Sequence, residues 1–208
     1  MTSDDSPARR PIASRSAGWA IRLSKALAAS SVTPNQISVA SVAVSALGAA
    51  LLALWAHPVA WLLAALCVQL RLVCNLLDGM VAIEGGKKSP VGALYNEFPD
   101  RIADTLFLAA AGAAALAPEL GWAAALAAAL TAYVRVFGGS VGLPQDFSGV
   151  MAKQRRMAAL TLALVAQSVE WAFADTRWSL GIALALILAG SLVTCVTRTL
   201  RIAKGLAS

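Results

Sequence analysis

The chain has 208 residues, of which 59% belong to the hydrophobic set AVILMFWYC and only 13% are charged. Soluble domains are typically about 45–50% apolar and about 25% charged, so this chain has too little polar surface to cover a water-soluble globule. Disorder is excluded for the same reason. Three cysteines in apolar stretches cannot all pair, which excludes a disulfide scaffold. We therefore expect an integral membrane protein, in which the positions of the few charges behind the net +6 matter most.

The first stretch of interest is a helix-like segment that follows the polar residues 1–12. The sequence RSAGWAIRLSKALAAS, at 15–30, repeats apolar positions at helical spacing between Arg22 and Lys25. This pattern predicts an amphipathic helix on the cytoplasmic membrane surface. A short soluble helix packed on the loops is an equally open interpretation.

Six apolar stretches follow, each near the roughly 20 residues that a helix needs to cross ~30 Å of hydrocarbon. They lie at 36–56, 59–80, 98–117, 120–140, 157–174 and 178–198. Short joints after the first and third stretches predict antiparallel helical hairpins. No stretch shows the period-two alternation of a membrane β-barrel. We predict an all-α polytopic membrane protein with six transmembrane helices over 33–208, preceded by a cytoplasmic segment over 1–32 that carries the amphipathic juxtamembrane helix.

Two helix starts are marked by a hydroxyl residue followed by proline. Thr33-Pro34 offers an N-cap and a proline at the first helical position, and Ser89-Pro90 offers the same pair. Pro99 lies inside the third span, where it removes a helical hydrogen bond and predicts a kink.

Lysine and arginine are unequally divided between the two ends of the predicted spans. The connections at one end carry only Arg177. The other end carries Arg9, Arg10, Arg15, Arg22, Lys25, Lys87, Lys88, Arg101, Lys153, Arg155, Arg156, Arg201 and Lys204. The positive-inside rule then places both termini and both long loops in the cytoplasm, as in a multi-pass protein of the cell inner (plasma) membrane. An interfacial aromatic belt at the opposite end is predicted from Trp55, Trp61, Trp122, Trp171 and Trp178.

Polar side chains interrupt the second and third spans near their cytoplasmic joint. On a helix, Asn75 and Asp78 share a face with the small residues Gly79 and Ala82. Asn96, Asp100 and Asp104 are spaced by four residues and also share a face. Ionisable groups inside a span are costly and usually functional. A single buried aspartate is as often an interhelical hydrogen-bond partner, but five polar side chains from adjacent helices favour an oxygen-rich site for a hard cation such as Mg²⁺.

Basic residues of the fourth and fifth spans lie near the same membrane face. Arg135 is flanked by apolar residues, whereas Lys153, Arg155 and Arg156 open the fifth span. Topology signalling and attraction to anionic lipid account for such residues without a ligand. A basic rim around a metal site also fits a phosphate-bearing substrate, and both interpretations remain open.

The sequence NLLDGMVAIEGGKKSPVGALYNEFPDRIAD resembles the signature of the CDP-alcohol phosphatidyltransferase family, D-x2-D-G-x2-A-R-x8-G-x3-D-x3-D. Aligned without gaps, all spacings fit, and five of the eight signature residues are identical: Asp78, Gly79, Ala82, Gly92 and Asp100. Asn75, Ile83 and Asn96 replace an aspartate, the arginine and another aspartate. The TPNQIS segment, Lys153 and the six spans extend the resemblance over nearly the whole chain.

The resemblance implies an enzyme that transfers a substituted phosphate, commonly phosphatidyl from CDP-diacylglycerol, to an acceptor hydroxyl with release of CMP. It implies Mg²⁺ or Mn²⁺ at the aspartate positions, which here are Asn75, Asp78, Asn96 and Asp100. The last of these is the implied base. It also implies nucleotide contacts at Gly79, Ala82 and Gly92. For phosphate or acceptor contacts we add Arg135, Lys153, Arg155 and Lys87.

The substitutions change the charge of the implied metal site. Asp78 and Asp100 balance one divalent ion, whereas four aspartates would balance two. An asparagine carbonyl can coordinate metal but adds no charge. Asp104 and Glu97 are candidate additional ligands, and Lys87 or Lys88 could replace the arginine that Ile83 displaces.

Three alternatives remain open at this stage. The chain is an active transferase, or a catalytically silent homologue that binds nucleotide or lipid as a partner subunit, or a transporter or channel. The sequence does not identify the acceptor, although SPVGAL followed by Asp-Arg looks closest to phosphatidylinositol-phosphate-type members, and Arg135 and Lys153 would suit a phosphorylated acceptor. Ala- and Gly-rich helices permit a homodimer, and the positive charge requires no nucleic-acid partner.

Overall fold

The protein is described here by a computed structural model that covers residues 16–87 and 89–207. Arg9, Arg10, Arg15 and Lys88 lie outside the described residues. The described chain forms seven α-helices: α1 Gly18–Ala29, α2 Pro34–Leu54, α3 Pro58–Glu84, α4 Gly92–Ala114, α5 Pro118–Ser140, α6 Lys153–Ala174 and α7 Trp178–Ala207.

Five of these helices, α2, α3, α5, α6 and α7, are long and apolar enough to cross a membrane. The prediction of an all-α polytopic membrane protein is therefore confirmed. The predicted sixth span, α4, is 23 residues long and runs without a break through Pro99. It does not meet the same criterion of composition because it carries Glu97, Asp100, Arg101 and Asp104.

Local capping chemistry explains where α2 begins. Thr33 Oγ1 accepts from the backbone N–H of Gln36 at 3.3 Å, and Gln36 Oε1 accepts from the backbone N–H of Thr33 at 2.9 Å. This reciprocal capping box confirms the predicted start. The start predicted at Ser89-Pro90 is wrong. Ser89 O accepts from Gly92 N in a turn that precedes α4, and the first turn of the helix begins only at Gly92.

Helix α2 is the central element of the packing around the site. It packs against both α3 and α4, while α5 contacts α4 and α7, and α6 contacts α3 and α7. The backbones of α3 and α4 stay farther apart than these pairs. Side chains must therefore span the space between the two helices that carry the motif.

The tryptophans divide between the core and the surface. Trp55, Trp122 and Trp178 are exposed, as a belt requires, but Trp61 is completely buried. Its ring meets Trp171 edge-on with ring centroids 5.4 Å apart. The prediction that Trp61 belongs to an interfacial belt is wrong because α3 turns this residue towards α6, where it fills the core.

The predicted N-terminal helix is confirmed as α1. Its inner face packs on α3 through Ala20, Leu76 and Met80. The outer face leaves Trp19 and Leu23 exposed at 49% and 41%. The helix thus has one apolar face on the protein and further apolar side chains directed away from it, and its position on a membrane surface stays a prediction.

Candidate functional site

The two halves of the motif meet through Asn75 on α3 and Asp100 on α4. Asn75 Nδ2 donates to Asp100 Oδ1 at 2.7 Å. One turn along α3, the buried Asp78 accepts from Ser38 Oγ of α2, also at 2.7 Å. The polar faces of the two helices therefore converge, and Ser38 is a member that the sequence did not indicate.

Arg71 is a second member that was not predicted. Its side chain is completely buried, and its Nη2 lies 3.2 Å from Asp100 Oδ1 and 2.7 Å from Asp104 Oδ1. The same Nη2 also donates to the backbone oxygen of Asp100 at 3.2 Å. A signal was present in the sequence, because Arg71 precedes Asn75 by four residues and Asp78 by seven and so shares their helical face.

Asp104 is held by arginines from two different helices. Arg71 of α3 contacts Oδ1, and Nη2 of Arg156 of α6 lies 2.6 Å from Oδ2. All three side chains are at most 3% exposed. Asp104 was a candidate metal ligand, but here both of its oxygens are engaged by guanidinium groups. Its carboxylate serves to neutralise two buried cations, which would be costly without it.

Asp100 is the more accessible carboxylate of the pair. Its side chain is 13% exposed, compared with 3% for Asp104. Lys153 of α6 forms an ion pair with Asp100 Oδ2, and Arg101 Nη2 lies 3.6 Å from the same oxygen. Asp100 thus collects donors from α3, α4 and α6 while keeping an opening to the outside.

Arg135, whose neighbours in sequence are apolar, is paired with Glu97. Its Nη2 lies 2.6 Å from both carboxylate oxygens of Glu97, and its Nη1 donates to Gln145 Oε1. The guanidinium also lies over the ring of Phe147, 4.9 Å from its centroid. Arg135 and Glu97 were predicted separately as phosphate and metal contacts, and the fold pairs them with each other.

The remaining motif residues lie towards the open side. Asn96 is exposed, whereas Gly79, Ala82 and Gly92 are half-buried. A Cβ added to Gly92 would meet no atom of the described residues within 4 Å, so this part of the chain leaves space beside Gly92. Ile83 is 37% exposed, which leaves the position of the displaced signature arginine at the surface.

Lys87 is engaged by the connection between α1 and α2. Its Nζ donates to the backbone oxygens of Ser30 at 2.5 Å, Val32 at 3.1 Å and Leu27 at 3.4 Å. A phosphate role for Lys87 therefore requires that these three carbonyls release the ammonium group.

A cavity of about 510 Å³ lies between the α5–α6 connection, the start of α6 and α7, and its lining includes Ala152 and Gln154, the chain neighbours of Lys153. Its lining also includes Ser148, Arg155, Thr197 and Arg201. Arg155 Nη1 donates to the backbone oxygen of Gly149 at 3.2 Å. The predicted cation Arg155 thus lines a cavity of mixed polar and apolar character at the start of α6.

Two contacts fix the wall of this cavity. Arg201 Nη1 lies 2.7 Å from Asp146 Oδ2, and Ser148 Oγ donates to Asp146 Oδ1 at 2.6 Å. Burial raises the pKa of Asp146, but these hydrogen bonds outweigh it and hold the pKa below its ordinary value. Arg198, which was not predicted as a site residue, is buried and donates to the backbone oxygens of Ser148 and Thr131.

The chemistry of the donor set fits one divalent metal ion. Asp78 and Asp100 offer carboxylates, and Asn75 and Asn96 offer amide oxygens, the ligand type that Mg²⁺ and Mn²⁺ prefer. Within residues 16–87 and 89–207, no three His, Cys, Asp or Glu side chains are grouped so that they could hold an ion. Since Asp104 is engaged by arginines, the set lacks the charge to balance two ions.

Comparison with known proteins identifies relatives for most of the chain. No model of a known protein family matches it. Archaetidylinositol phosphate synthase of Aeropyrum pernix is 33% identical over 165 residues, which cover 79% of this chain and 78% of that protein. Inner membrane protein YnbA of Escherichia coli K12 is 41% identical over 73 residues, 35% of this chain and 36% of that protein. The bifunctional IPC transferase and DIPP synthase of Rubrobacter xylanophilus is 34% identical over 137 residues, but the match spans only 30% of its length.

Solved structures share the fold. Phosphatidylinositol phosphate synthase of Mycobacterium tuberculosis with CDP-DAG bound has a TM-score of 0.70 at 20% identity, covering 88% of this chain and 92% of that one. The same enzyme with manganese and citrate has a TM-score of 0.72 at 19% identity, covering 88% of each chain. The fold, and the archaeal relative that matches more than three quarters of both sequences, show that this chain belongs to the CDP-alcohol phosphatidyltransferase family.

Proposed function

We propose that this chain transfers a substituted phosphate, phosphatidyl in the first instance, from a CDP-alcohol such as CDP-diacylglycerol to an acceptor hydroxyl, with release of CMP in phospholipid biosynthesis. The observation that carries the proposal is the contact of Asn75 with Asp100, because it joins the two halves of the family motif at one place. The archaeal relative is an archaetidylinositol phosphate synthase, and a structure of the same fold holds CDP-DAG.

In the proposed reaction, the acceptor oxygen forms a bond to the phosphorus of the transferred group as the bond from that phosphorus to CMP breaks. We assign Asp100 as the base that takes the hydroxyl proton, because it is the more exposed carboxylate of the α4 pair. Its Oδ2 is paired with Lys153, so that pair must open first. The released ammonium of Lys153 would then neutralise phosphate oxygens of the substrate.

The proposed cofactor is a single Mg²⁺ or Mn²⁺ ion, held by Asp78 and Asp100 with the amide oxygens of Asn75 and Asn96. When bound, the ion would supply positive charge to the pyrophosphate and to the departing CMP. Asn75 already orients Asp100 through its amide nitrogen, which leaves the amide oxygen as its ligand atom. Manganese is present in one of the structures with this fold.

The rest of the proposed site surrounds this cluster. The nucleotide would lie beside Gly79, Ala82 and Gly92, where the space at Gly92 is open. Arg155 and Arg201 line the cavity at the start of α6, which we assign to a phosphorylated polyol acceptor. Lys153 lies between the two regions, and Arg135 and Lys87 would contribute only after leaving their present partners.

We also propose that α4 is the sixth transmembrane helix. Its 23 residues would extend about 34 Å, enough to span the hydrocarbon layer. Its charges face partners inside the bundle, as Glu97 pairs with Arg135 and Asp104 with two arginines. Both termini and the site would face the cytoplasm, as the basic loops predict, and the protein would lie in the inner membrane of the cell. The Ala- and Gly-rich helices would permit a homodimer.

The test is a CMP-release assay on purified chain in liposomes that contain CDP-diacylglycerol. The acceptor panel contains inositol phosphate, glycerol phosphate, inositol and serine, with Mg²⁺ or Mn²⁺ varied and EDTA as the control. We expect metal-dependent release of CMP with a phosphorylated acceptor. Absence of CMP with every acceptor and both metals would overturn the proposal.

A second function is favoured by the cations that already hold Asp100. In a catalytically silent homologue, Arg71 and Lys153 would replace the metal permanently, and the chain would bind nucleotide or lipid as a partner subunit. Calorimetry would then show CMP or CDP-diacylglycerol binding, although no acceptor yields product. The double substitution Asn75→Asp and Asn96→Asp would be expected to bring back turnover in that case.

A further inference from the structure

Arg71 has hydrogen-bonding capacity that the protein does not use. Among the residues that the structure describes, Nη2 makes every hydrogen bond of this guanidinium, to Asp100 and Asp104. Nε and Nη1 are completely buried and have no hydrogen-bond partner within residues 16–87 and 89–207. Buried donors left unpaired are costly, so a partner that the protein itself does not supply is expected at this position. Guanidinium N–H groups donate strong hydrogen bonds to the oxygen atoms of a phosphate, and ordered water can also accept from them.

Charge is already balanced in this cluster. The carboxylates are Asp78, Asp100 and Asp104, and the buried cations in contact with the last two are Arg71, Lys153 and Arg156. Arg101 adds a partly exposed cation 3.6 Å from Asp100. A divalent ion that entered alone would therefore make the cluster strongly positive in a poorly screened environment. An ion that entered with an anionic pyrophosphate would not.

We propose that Arg71 is a built-in counter-cation that occupies the place at Asp100 and Asp104 where a second divalent ion would otherwise supply positive charge. The site then holds one ion, and holds it firmly only together with the anionic donor. This inference rests on the proposed function for the identity of the donor. The inference itself is tested by the affinity for metal, which is measured without turnover.

The experiment is a Mn²⁺ titration of the purified full-length chain in detergent, in which paramagnetic resonance reports free Mn²⁺. It is carried out with and without CDP-diacylglycerol and without acceptor. For the unmodified chain we expect no more than one Mn²⁺ per chain and an affinity about tenfold or more higher when the donor is present. Two ions per chain, or equal affinity with and without donor, would overturn the inference, whatever any variant does.

Arg71→Met separates the charge role from a merely structural one. In this variant Asp100 keeps Lys153 and Asp104 keeps Arg156, so both buried carboxylates retain a cation. We expect donor-independent Mn²⁺ affinity to rise about tenfold, because one positive charge has left the cluster. A merely structural arginine would give no gain. Arg71→Lys keeps the charge and should bind Mn²⁺ as weakly as the unmodified chain.

Arg22→Met is the matched control, because Arg22 is exposed on α1 and its loss removes the same charge from the protein as a whole. It should leave Mn²⁺ affinity unchanged. An Arg71→Met variant that elutes as the unmodified chain does but shows no gain in affinity would overturn the inference. If CMP release fails while the Mn²⁺ gain persists, only the proposed function is lost. If CMP is released without that gain, only the role of Arg71 is lost.

Discussion

Asn75 Nδ2 lies 2.7 Å from Asp100 Oδ1, so an amide on α3 donates to the carboxylate that closes the motif on α4. An aspartate at position 75, as in the family signature, would instead place a second negative charge against this oxygen. Asp100 Oδ1 also accepts from Arg71, which comes from the same face of α3. Asparagine thus replaces the signature aspartate at position 75, and the cation of Arg71 lies one helical turn away on the same face of α3.

The first prediction concerns Asp100→Asn. This substitution keeps the size of the side chain but removes the group assigned to accept the hydroxyl proton, so CMP release should fall at least about 100-fold. The measurement is the liposome assay at saturating metal. Asp175→Asn, which changes an exposed carboxylate after α6 and outside the proposed site, is the control and should retain most of its turnover. Equal turnover in the two variants would remove Asp100 from the proposed role.

The second prediction concerns Asp104→Asn. The change leaves Arg71 and Arg156 buried against a neutral amide, a situation that typically costs about 3–5 kcal/mol. We expect a clearly lower thermal transition in detergent, and the same decrease in EDTA, because the arginine contacts need no ion. Asp175→Asn, at an exposed position after α6, is the matched control and should leave the transition unchanged. A decrease that disappears in EDTA would instead favour Asp104 as a metal ligand.

Helical spacing was sufficient to predict which polar residues share a face. The i, i+4 pattern placed Asp100 and Asp104 together, and the fold brings that face to Asn75 of α3. The ion-pair partners of the two aspartates could not be predicted from the sequence. Lys153 and Arg156 reach them from α6, and no periodicity within one helix shows which other helix will supply a counter-charge.

Composition also misled where burial depends on tertiary packing. Trp61 lies near a span end and reads as an interfacial residue, yet it is completely buried against Trp171. Lys87 was predicted as a phosphate or acceptor contact, yet its ammonium group donates to three backbone oxygens at the end of α1 and in the connection to α2. The group that buries or binds each side chain is distant in sequence, as Trp171 is, or is a backbone oxygen. The residue type of Trp61 or Lys87 gives no indication of such a contact.

The third prediction separates two roles of Lys87. Lys87→Met removes the ammonium that holds the backbone oxygens of Leu27, Ser30 and Val32, so hydrogen exchange over residues 27–33 should increase. If the main role of Lys87 is to hold these backbone oxygens, the KM for CDP-diacylglycerol should change less than about twofold. Lys25→Met, on the exposed side of α1, is the control for exchange. A raised KM with unchanged exchange would assign Lys87 to phosphate binding instead.

The fourth prediction concerns the crossing of α4 and α5. A Cβ added to Gly112 would lie 2.6 Å from the Cα of Gly121 and 3.0 Å from the backbone oxygen of Ala117, so the two helices would have to move apart. Overpacking of this kind typically costs about 1–3 kcal/mol, more than the up to ~1 kcal/mol that alanine gains over glycine in a helix. Gly112→Ala should therefore lower the thermal transition.

Gly181→Ala on α7 is the matched control, because its Cβ would meet no atom within 4 Å. The same helix propensity then acts without a clash, and the transition should stay the same or rise slightly. Since α4 carries Asp100 and α5 carries Arg135, separation of these helices should also weaken the Glu97–Arg135 pair and reduce CMP release. A Gly112→Ala variant as stable and as active as Gly181→Ala would show that the close approach of the two glycines is not required.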